Sequence, residues 1–541
     1  MVWLLNDVYD VEHRAYFMSE KKMELTPLKI RSHGASSVMH YDERYTPYIE
    51  MTGLLPFVQL VSRSTPNLNA AAVTARIDRW RPETHSFHLQ TGEMTVTLQD
   101  VSMITALPIE GKPLCMSTDS EGWRQQMEAL IGMSPQEPEV EDGGKKDRVP
   151  TGATFTWIAA NFAHCPEDAD DEVIHRYARV YMWYVISRTI FADGTGKNAP
   201  WMWLKALTVF DNKFSWGSAA LAYLYRQLDD ACRRTTKDGG VGGCVLLLSW
   251  DLVLEVASEV NLLYKQYTNE IDSLTPEQVE WEPYGVETNF GDAHTFELNP
   301  LCVQERHLWL MRCPLICNWA VEFHLPHRVL RQFGYFQPHP PEWVDTDTQL
   351  HRLDRRRQRK IKDWQKHHKS YVLMFEQSVQ ATSSIQLTQY RQHCALAFSN
   401  YLRWFQESTR VEICPPTYEE DILEEPTEYD ELAQGGYSKL IREGYQTSFA
   451  PVLNFVAADD MTLKAFQRSA YMLKPRKEFK RYSPDDYAKG KNPVAGGSRL
   501  SRMRSMDDEV EDDDDDESDD PEQFVVARRK KLASKRGRGP K

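Results

Sequence analysis

Residues 80–101, WRPETHSFHLQTGEMTVTLQDV, hold two histidines three positions apart, two glutamates and an aspartate. These are the side chains that bind metal ions or exchange protons. On both sides of Gly92, however, apolar residues recur at every second position, which predicts a β-hairpin that turns at this glycine. Residues three apart on a strand point to opposite faces, so His85 and His88 cannot bind one metal together without a bulge. We therefore interpret the stretch as structural.

The elements around this hairpin are predicted to be helical. Thr97 and Asp100 have the spacing of a capping box, which begins a helix that Pro108 ends. Helical periodicity then dominates the chain, and Ser215 is the predicted N-cap of one helix. Further helices are expected in the segments VGGCVLLLSWDLVLEVA, HRVLRQFGY, 346–378 and 384–409. The predicted fold is mainly α: one large helical domain with a small β-hairpin insertion, followed by a disordered acidic and basic C-terminal tail.

Composition narrows the functional classes. The 541 residues are 41% hydrophobic, enough for a large core, and no apolar run of about 18 residues occurs, so we expect no membrane span. The nine cysteines are scattered without a disulfide framework, which is typical of a reducing compartment. The net charge of −15 is uneven, because residues 507–520 carry twelve acids and residues 528–541 carry eight bases. The remaining body is mildly acidic, which disfavours DNA binding by a whole face.

Cysteine and histidine are concentrated in one later region. Cys313 and Cys317 lie in an apolar segment, and their spacing differs from the usual structural zinc pairs, so core packing is the better interpretation. No complete P-loop, G-x-S-x-G or H-E-x-x-H motif occurs. We therefore predict no catalytic, metal-binding or cofactor-binding residues and no enzymatic activity. The other members of this cysteine and histidine region are Cys302, His307, His324 and His327.

Two basic segments are candidates for contacts with other molecules. One lies in a predicted helix and is either a solvated face or a site of weak contact with nucleic-acid phosphates. Its basic residues are Arg355, Arg356, Arg359, Lys360, Lys362 and Lys366. The other resembles a nuclear-import sequence with two clusters, Arg528, Arg529, Lys530 and Lys531, then Lys535, Arg536 and Arg538. Residues from about 483 have too few apolar groups to offset the entropy of ordering, so this tail should be disordered and accessible.

Several blocks together resemble the plant mobile domain family, a transposon-derived family that includes the maintenance-of-meristems proteins and is also labelled aminotransferase-like. The resemblance begins with DRWRPETHSFHLQTGEMTVTLQDVSMITALPIEGKPL and continues through RYARVYMWYVISRTIFAD to HRLDRRRQRKIKDWQKHHKSYV. It implies a nuclear protein linked to transposon silencing, genome integrity and meristem maintenance, with a serine/threonine phosphatase as a partner or fused domain. The aminotransferase-like label implies pyridoxal phosphate, but no catalytic residues carry over to this sequence.

These observations predict four segments: a leader at 1–40, the plant mobile domain at 41–410, an acidic and partly helical extension at 411–482, and the disordered tail at 483–541. The leading hypothesis is a non-enzymatic nuclear interaction protein that acts in chromatin and transposon control. An accessory protein encoded by a transposable element, with nucleic-acid binding, is the first alternative. An uncharacterised enzyme is the second.

Overall fold

The fold is known over most of the chain up to residue 413. A computed structural model describes residues 4–30, 39–63, 68–136, 151–193, 196–248, 260–279, 281–282, 284, 300–341, 346–351, 361–382 and 390–413. None of the helices in these ranges is long and apolar enough to span a lipid bilayer.

Helices provide most of the regular structure in the described residues, in agreement with the predicted mainly α class. The α-helices are α1 (Asp7–Asp10), α2 (Arg14–Ser19), α3 (Thr46–Met51), α4 (Leu55–Arg63), α5 (Ala70–Ile77), α6 (Leu98–Thr105), α7 (Trp123–Ile131), α8 (Phe155–Phe162), α9 (Asp171–Arg188), α10 (Trp201–Ala206), α11 (Trp216–Ala231), α12 (Val260–Asp272), α13 (Pro300–Val303), α14 (Trp364–His367), α15 (Lys369–Thr382) and α16 (Ala395–Ser408). Short 3-10 turns and one π turn, Asp347–His351, join several of them.

The strands are short and pair into small sheets. They are β1 (Lys29–Ile30), β2 (Trp80–Arg81), β3 (Ser86–Leu89), β4 (Gly92–Met94), β5 (Gly152–Thr154), β6 (Asn198–Pro200), β7 (Gly240–Val241), β8 (Cys313–Cys317) and β9 (Ala320–His324). Strands β2, β3 and β4 form one antiparallel sheet, while β5 pairs with β6 and β8 pairs with β9. The pair of β1 and β7 is parallel.

Helix α11 is buried along almost its whole length and packs against α6, β8 and β9. Its first turns contain glycine, serine and alanine, which let neighbouring segments approach closely. A Cβ atom on Gly217 would lie only 2.8 Å from side-chain atoms of both Val101 and Ile109. Ser215 is the N-cap residue of α11, as predicted, but its hydroxyl makes no capping bond and instead donates to the Ile109 carbonyl at 2.6 Å.

The predicted hairpin around Gly92 is confirmed. Strands β3 and β4 pair with Phe87 opposite Met94. Gly92 has φ 113°, a backbone conformation that residues other than glycine rarely adopt. The predicted capping box is also present, since Thr97 and Asp100 bond each other's backbone at the start of α6. The hairpin differs from a surface hairpin in one respect: both of its faces are buried, so its polar residues need partners inside the protein.

A second hairpin, β8 and β9, occupies the apolar segment that contains Cys313 and Cys317. Its register places Leu315 opposite Glu322, and Asn318 at the turn has φ 50°, a left-handed conformation that asparagine tolerates well. Both cysteines are buried and free, in agreement with the core packing predicted from the sequence. The strands escaped prediction because this segment is apolar on both faces and shows no period of two.

Four predicted helices require correction. In VGGCVLLLSWDLVLEVA the described part is a 3-10 turn, Val245–Leu248, and residues 249–259 lie outside the described residues. HRVLRQFGY forms two 3-10 turns, Pro326–Arg328 and Leu330–Phe333, since Gly334 with φ 77° ends the second after one turn. The helices predicted over 346–378 and 384–409 are interrupted or shorter, as the described parts are the π turn, α14, α15 and α16.

The leader packs tightly against the rest of the domain. The buried guanidinium of Arg14 donates to Asp78 at 2.6 Å, joining α2 to the end of α5. The backbone N–H of Leu4 donates to the carbonyl of Ser408 at 2.6 Å. Arg410 donates to Asp10 at 2.9 Å, and Asp10 also accepts from Arg81 at 2.9 Å. The described leader residues and the segment after α16 are therefore held side by side.

Candidate functional site

Four ionisable side chains from distant parts of the chain meet inside the domain. We call them the inner cluster: His85, Asp229, Glu322 and His351. Their exposed fractions are 2%, 0%, 0% and 0%, respectively. Carboxylates are almost never buried this completely unless they are paired, so the contacts within the cluster determine its chemistry.

Four different elements position these side chains. His85 lies in the turn between β2 and β3, where a left-handed backbone with φ 51° turns the chain. Asp229 comes from the last turn of the buried helix α11, and Glu322 from the middle of β9. His351 ends the π turn, which packs against β9. The cluster therefore depends on the tertiary fold and not on any local motif.

Glu322 is the centre of the hydrogen-bond network. Its Oε1 lies 2.7 Å from His351 Nε2 and accepts from Arg226 Nε at 2.5 Å. Its Oε2 lies 3.0 Å from His85 Nε2 and accepts from the Thr346 hydroxyl at 3.0 Å. Both carboxylate oxygens are thus held in fixed orientations by several groups.

Asp229 is held by only one of its two oxygens. Its Oδ1 accepts from Trp80 Nε1 at 2.6 Å, whereas Oδ2 has no hydrogen-bond partner among the described residues. Oδ2 points into the cluster, 3.3 Å from His351 Nε2 and 3.9 Å from His85 Nε2. A buried acceptor without a partner costs about 1–3 kcal/mol. This oxygen is therefore the least satisfied atom of the cluster.

Burial and the mutual charges shift the pKa values in opposite directions. Burial raises the pKa of the Asp229 carboxyl, and the negative charge of Glu322 raises it further. Burial acts on Glu322 in the same direction, but Arg226 and His351 together hold the pKa of this carboxyl well below its usual value. For His85, burial lowers the pKa, and its hydrogen bond and charge interaction with Glu322 outweigh that effect and raise it.

The contact made by His85 Nδ1 shows which of the two ring nitrogens carries the hydrogen. His85 Nδ1 lies 3.1 Å from the backbone carbonyl oxygen of Phe323, which can only accept, so Nδ1 carries a hydrogen. In the neutral imidazole, Nε2 then presents a lone pair to the carboxylate oxygens of Glu322 and Asp229. This arrangement calls for a positive charge between these atoms, either a second proton on the ring or a metal cation. The cluster can therefore hold a cation or share protons.

A separate buried ion pair lies on the polar face of the first hairpin. Arg328 donates from Nε and Nη2 to the two carboxylate oxygens of Glu93, each at 2.7 Å. Ser86 donates to the same carboxylate at 2.8 Å, and Arg328 Nη1 donates to the Pro341 carbonyl at 3.0 Å. The side chains of Arg328 and Glu93 are 1% and 0% exposed. This pair explains how the hairpin buries both of its faces.

The structure describes two of the six candidate nucleic-acid contacts. Lys362 lies 3.1 Å from Asp119 and 3.8 Å from Glu121, so its charge is already partly neutralised on the protein surface. Lys366 is an exposed residue of α14. The other four, Arg355, Arg356, Arg359 and Lys360, lie outside the described residues. A continuous phosphate-binding face over this segment stays a prediction.

The predicted nuclear-import residues and the predicted disordered tail lie outside the described residues as well. In the region rich in cysteine and histidine, His324 Nδ1 lies 2.7 Å from the Met311 carbonyl, and burial lowers the pKa of this imidazole to about 4. Among the described residues, the only group with the donor atoms and closeness to hold a metal ion is His85, Asp229 and Glu322.

Sequence reasoning considered His85, rejected a metal or acid–base role for it, and missed the residues that surround it. It weighed His85 with His88, whereas His88 points elsewhere, with its two ring nitrogens 2.6 Å from Thr409 and 3.0 Å from Thr84. Glu322 gave one usable signal, since it is a carboxylate inside a mostly apolar segment, whereas Asp229 stands among other polar residues. A charged residue at a buried position implies a partner, but the sequence does not say which one.

Comparison with known proteins gives consistent results. The profile of a family described as plant mobile domain matches residues 56–253 and 241–406. The serine/threonine-protein phosphatase 7 long form homolog of Arabidopsis thaliana is 30% identical over 389 residues, which is 64% of this chain and 27% of that protein. Protein MAIN-LIKE 1 of the same plant is 31% identical over 312 residues, 53% of this chain and 58% of that protein.

A third relative, Protein MAINTENANCE OF MERISTEMS of Arabidopsis thaliana, is 32% identical over 302 residues, 51% of this chain and 59% of that protein. The chain thus spans between 27% and 59% of the length of these three relatives. No solved structure matches.

Proposed function

The chain belongs to the plant mobile domain family, and from this membership we propose that it is a non-enzymatic nuclear interaction protein. Its proposed role is in chromatin and transposon silencing, genome integrity or meristem maintenance. The observation that carries the proposal is the match of the family profile over residues 56–253 and 241–406, together with a relative named for the maintenance of meristems.

The geometry of the inner cluster does not favour a catalytic role for these four side chains. The members of the cluster, His85, Asp229, Glu322 and His351, are each at most 2% exposed. A catalytic group has to come within hydrogen-bond distance of its substrate. In this conformation the four side chains contact one another and the protein interior instead of the surface.

A serine/threonine phosphatase is the proposed partner. This chain is 30% identical, over 64% of its length, to a protein named as a serine/threonine-protein phosphatase homolog, and the match covers only 27% of that protein. A domain that is fused to a catalytic unit in one protein often binds a separate copy of that unit in another. Affinity capture of the tagged full chain from plant nuclei should therefore enrich a serine/threonine phosphatase over a tag-only control. If the captured material contains no phosphatase, the proposed partner is wrong, and the proposed nuclear role is unaffected.

The proposed role can be tested by complementation. The full chain would be expressed in Arabidopsis thaliana plants that lack Protein MAINTENANCE OF MERISTEMS, and root meristem size and transposon transcripts would be measured. We expect partial restoration of both. A chain with Val96→Asp, which should not fold stably, is the matched control for expression without function. If the stable, nuclear full chain restores neither readout, the proposed role is wrong.

Nuclear import is tested separately with two deletions of equal length. Removing residues 528–541 takes away eight bases, whereas removing residues 507–520 takes away twelve acids. We expect the first deletion to move a fluorescent fusion towards the cytoplasm and the second to leave it nuclear. A fusion that stays equally nuclear after the first deletion would assign import to residues 355–362 or to a partner. A cytoplasmic full chain would contradict the nuclear proposal itself.

A further inference from the structure

The inner cluster has the donor atoms of a closed metal site. We propose that it binds one zinc ion through His85 Nε2, Asp229 Oδ2 and a carboxylate oxygen of Glu322, which already lie close together, and that His351 Nε2 turns in as the fourth ligand. Imidazole nitrogens and carboxylate oxygens are normal zinc ligands, and structural zinc sites take four of them in a tetrahedron. This proposal does not depend on the proposed nuclear role.

The distances between the donor atoms fit that geometry. Zinc bonds of about 2.0–2.1 Å place neighbouring ligand atoms of a tetrahedron about 3.3 Å apart. Here His85 Nε2 lies 3.0 Å from Glu322 and 3.9 Å from Asp229 Oδ2. His351 Nε2 lies 2.7 Å from Glu322 and 3.3 Å from Asp229 Oδ2. The two Glu322 distances end on different oxygens, Oε2 for His85 and Oε1 for His351, so one imidazole has to turn towards the shared oxygen before the tetrahedron closes.

The hydrogen bonds around the donors match those that support metal ligands. Metal-binding histidines usually donate their other ring N–H to a carbonyl or carboxylate, and metal-binding carboxylates are themselves hydrogen-bonded. His85 Nδ1 faces the Phe323 carbonyl, and Trp80 holds the outer oxygen of Asp229. Arg226 and Thr346 donate to Glu322. These contacts fix the orientation of three donors before any ion binds.

Charge and hydrogen bonding give an independent reason to expect a cation. With both imidazoles neutral and Asp229 ionised, the charges of Asp229, Glu322 and Arg226 leave one net negative charge in the interior. Protons on the two histidines would each satisfy an oxygen of Glu322, but Asp229 Oδ2 would still have no hydrogen-bond partner among the described residues. A metal ion at the centre contacts Oδ2 as well as the two lone pairs on nitrogen. It is therefore an occupant that contacts all of these atoms at once.

A zinc ion here would have a structural role. Four protein donors leave no open position for water or substrate, and all four side chains are buried. The ion would join the turn between β2 and β3, helix α11, strand β9 and the π turn. These elements are far apart in the chain, so the metal would act as a cross-link between them.

The first test uses the unaltered full chain. After expression with zinc in the medium and gel filtration, elemental analysis should find about one zinc per chain. A strong chelator should remove it and lower the melting temperature, and added zinc, but not magnesium, should restore it. Purified chain that holds no zinc, and whose melting temperature responds to neither chelator nor zinc, would overturn the proposal and leave protons as the cluster's counter-charge.

The second test compares variants. Asp229→Asn and His351→Gln should each lose the zinc, while His88→Gln, a neighbouring buried histidine outside the cluster, should retain it. Loss of zinc from all three variants alike would show that the metal depends on general folding and would count against the site. Trp80→Phe removes the bond to Asp229 Oδ1 and should weaken zinc binding about 10–100-fold without abolishing it.

Cobalt substitution distinguishes the proposed ligands from cysteine. Cobalt in the nitrogen and oxygen site should give the visible absorption of a tetrahedral ion without the intense near-ultraviolet band of a cobalt–thiolate bond. Cys394 is exposed and could bind metal on its own, so the same spectrum should persist in Cys394→Ser. The unaltered chain could instead show a thiolate band. If Cys394→Ser then lost both this band and the bound zinc, the inner cluster would be refuted as the site.

Discussion

The buried ion pair between Glu93 and Arg328 allows a quantitative prediction. Replacing Glu93 with glutamine keeps the shape of the side chain but removes its negative charge. Arg328 then remains 1% exposed with its full positive charge and no carboxylate to neutralise it. Replacing Arg328 with methionine leaves the opposite defect, a buried carboxylate whose remaining described side-chain donor is the hydroxyl of Ser86 at 2.8 Å.

The expected cost follows from the burial of both partners. Breaking a buried pair by removing one member typically costs about 3–5 kcal/mol, because the other charge stays buried without compensation. Each single variant should therefore unfold with an equilibrium constant raised by about a hundredfold or more. In the double variant neither charge remains, so its loss of stability should be smaller than the sum of the two single losses by about 0.5–3 kcal/mol.

Equilibrium urea unfolding of the full chain, followed by tryptophan fluorescence, measures these free energies. The control is Asp238→Asn, which breaks the pair between Asp238 and Lys29, whose side chains are 86% and 58% exposed. Exposed pairs contribute about 0–1 kcal/mol, so this variant should unfold almost like the original chain. If Glu93→Gln costs no more than Asp238→Asn, the pair is solvated and the polar face of the hairpin is not buried as described.

Three further predictions concern the core and the response to acid. Val96 is 0% exposed, so Val96→Asp should destabilise the chain by about 3–5 kcal/mol through a buried unpaired charge. A soluble variant with an unchanged free energy of unfolding in urea would contradict the place of Val96 in the core. Gly217→Ala should cost about 1–3 kcal/mol, because the added Cβ meets Val101 and Ile109 at 2.8 Å, whereas Ala219→Gly in the same helix should cost only about 1 kcal/mol. Burial, and after it the charges of Arg81 and Arg328, holds the pKa of His88 well below its ordinary value of about 6.5. As the pH falls below about 6.5, this histidine therefore binds a proton in the unfolded chain but not in the folded chain. The free energy of unfolding should then decrease by up to about 1.4 kcal/mol per pH unit for this group. His88→Gln should reduce that slope between pH 6.5 and 5 in urea unfolding series, and an unchanged slope would show that His88 is solvated.

The sequence could predict features whose signals lie within a few residues of one another. The first hairpin had alternating apolar positions and a glycine where the turn needs a positive φ, and the helix after it had Thr97 and Asp100 at capping-box spacing. Each of these signals acts through the local backbone, so a tertiary contact is not needed to recognise it.

The inner cluster could not be predicted in this way. His85 and Asp229 are 144 positions apart, and Asp229 and Glu322 are 93 positions apart, so they meet only because α11 packs against both β2 and β9. The second hairpin escaped prediction for a related reason. Its strand β8, CPLIC, is buried on both faces, and a short apolar run of this kind does not distinguish a strand from a helix.

Two segments that are about four hundred positions apart in sequence lie side by side. They are joined by the hydrogen bond between Leu4 and Ser408 and by the ion pairs of Asp10 with Arg410 and Arg81. A folded unit whose first and last residues lie close together can be inserted into a surface loop of an unrelated protein without disrupting the fold of that protein. The same geometry permits circular permutation, with residues 4 and 408 joined by a short linker and new ends opened elsewhere. Such portability suits a domain that recurs as a minor fraction of a much longer relative, as in the protein of which the match covers 27%.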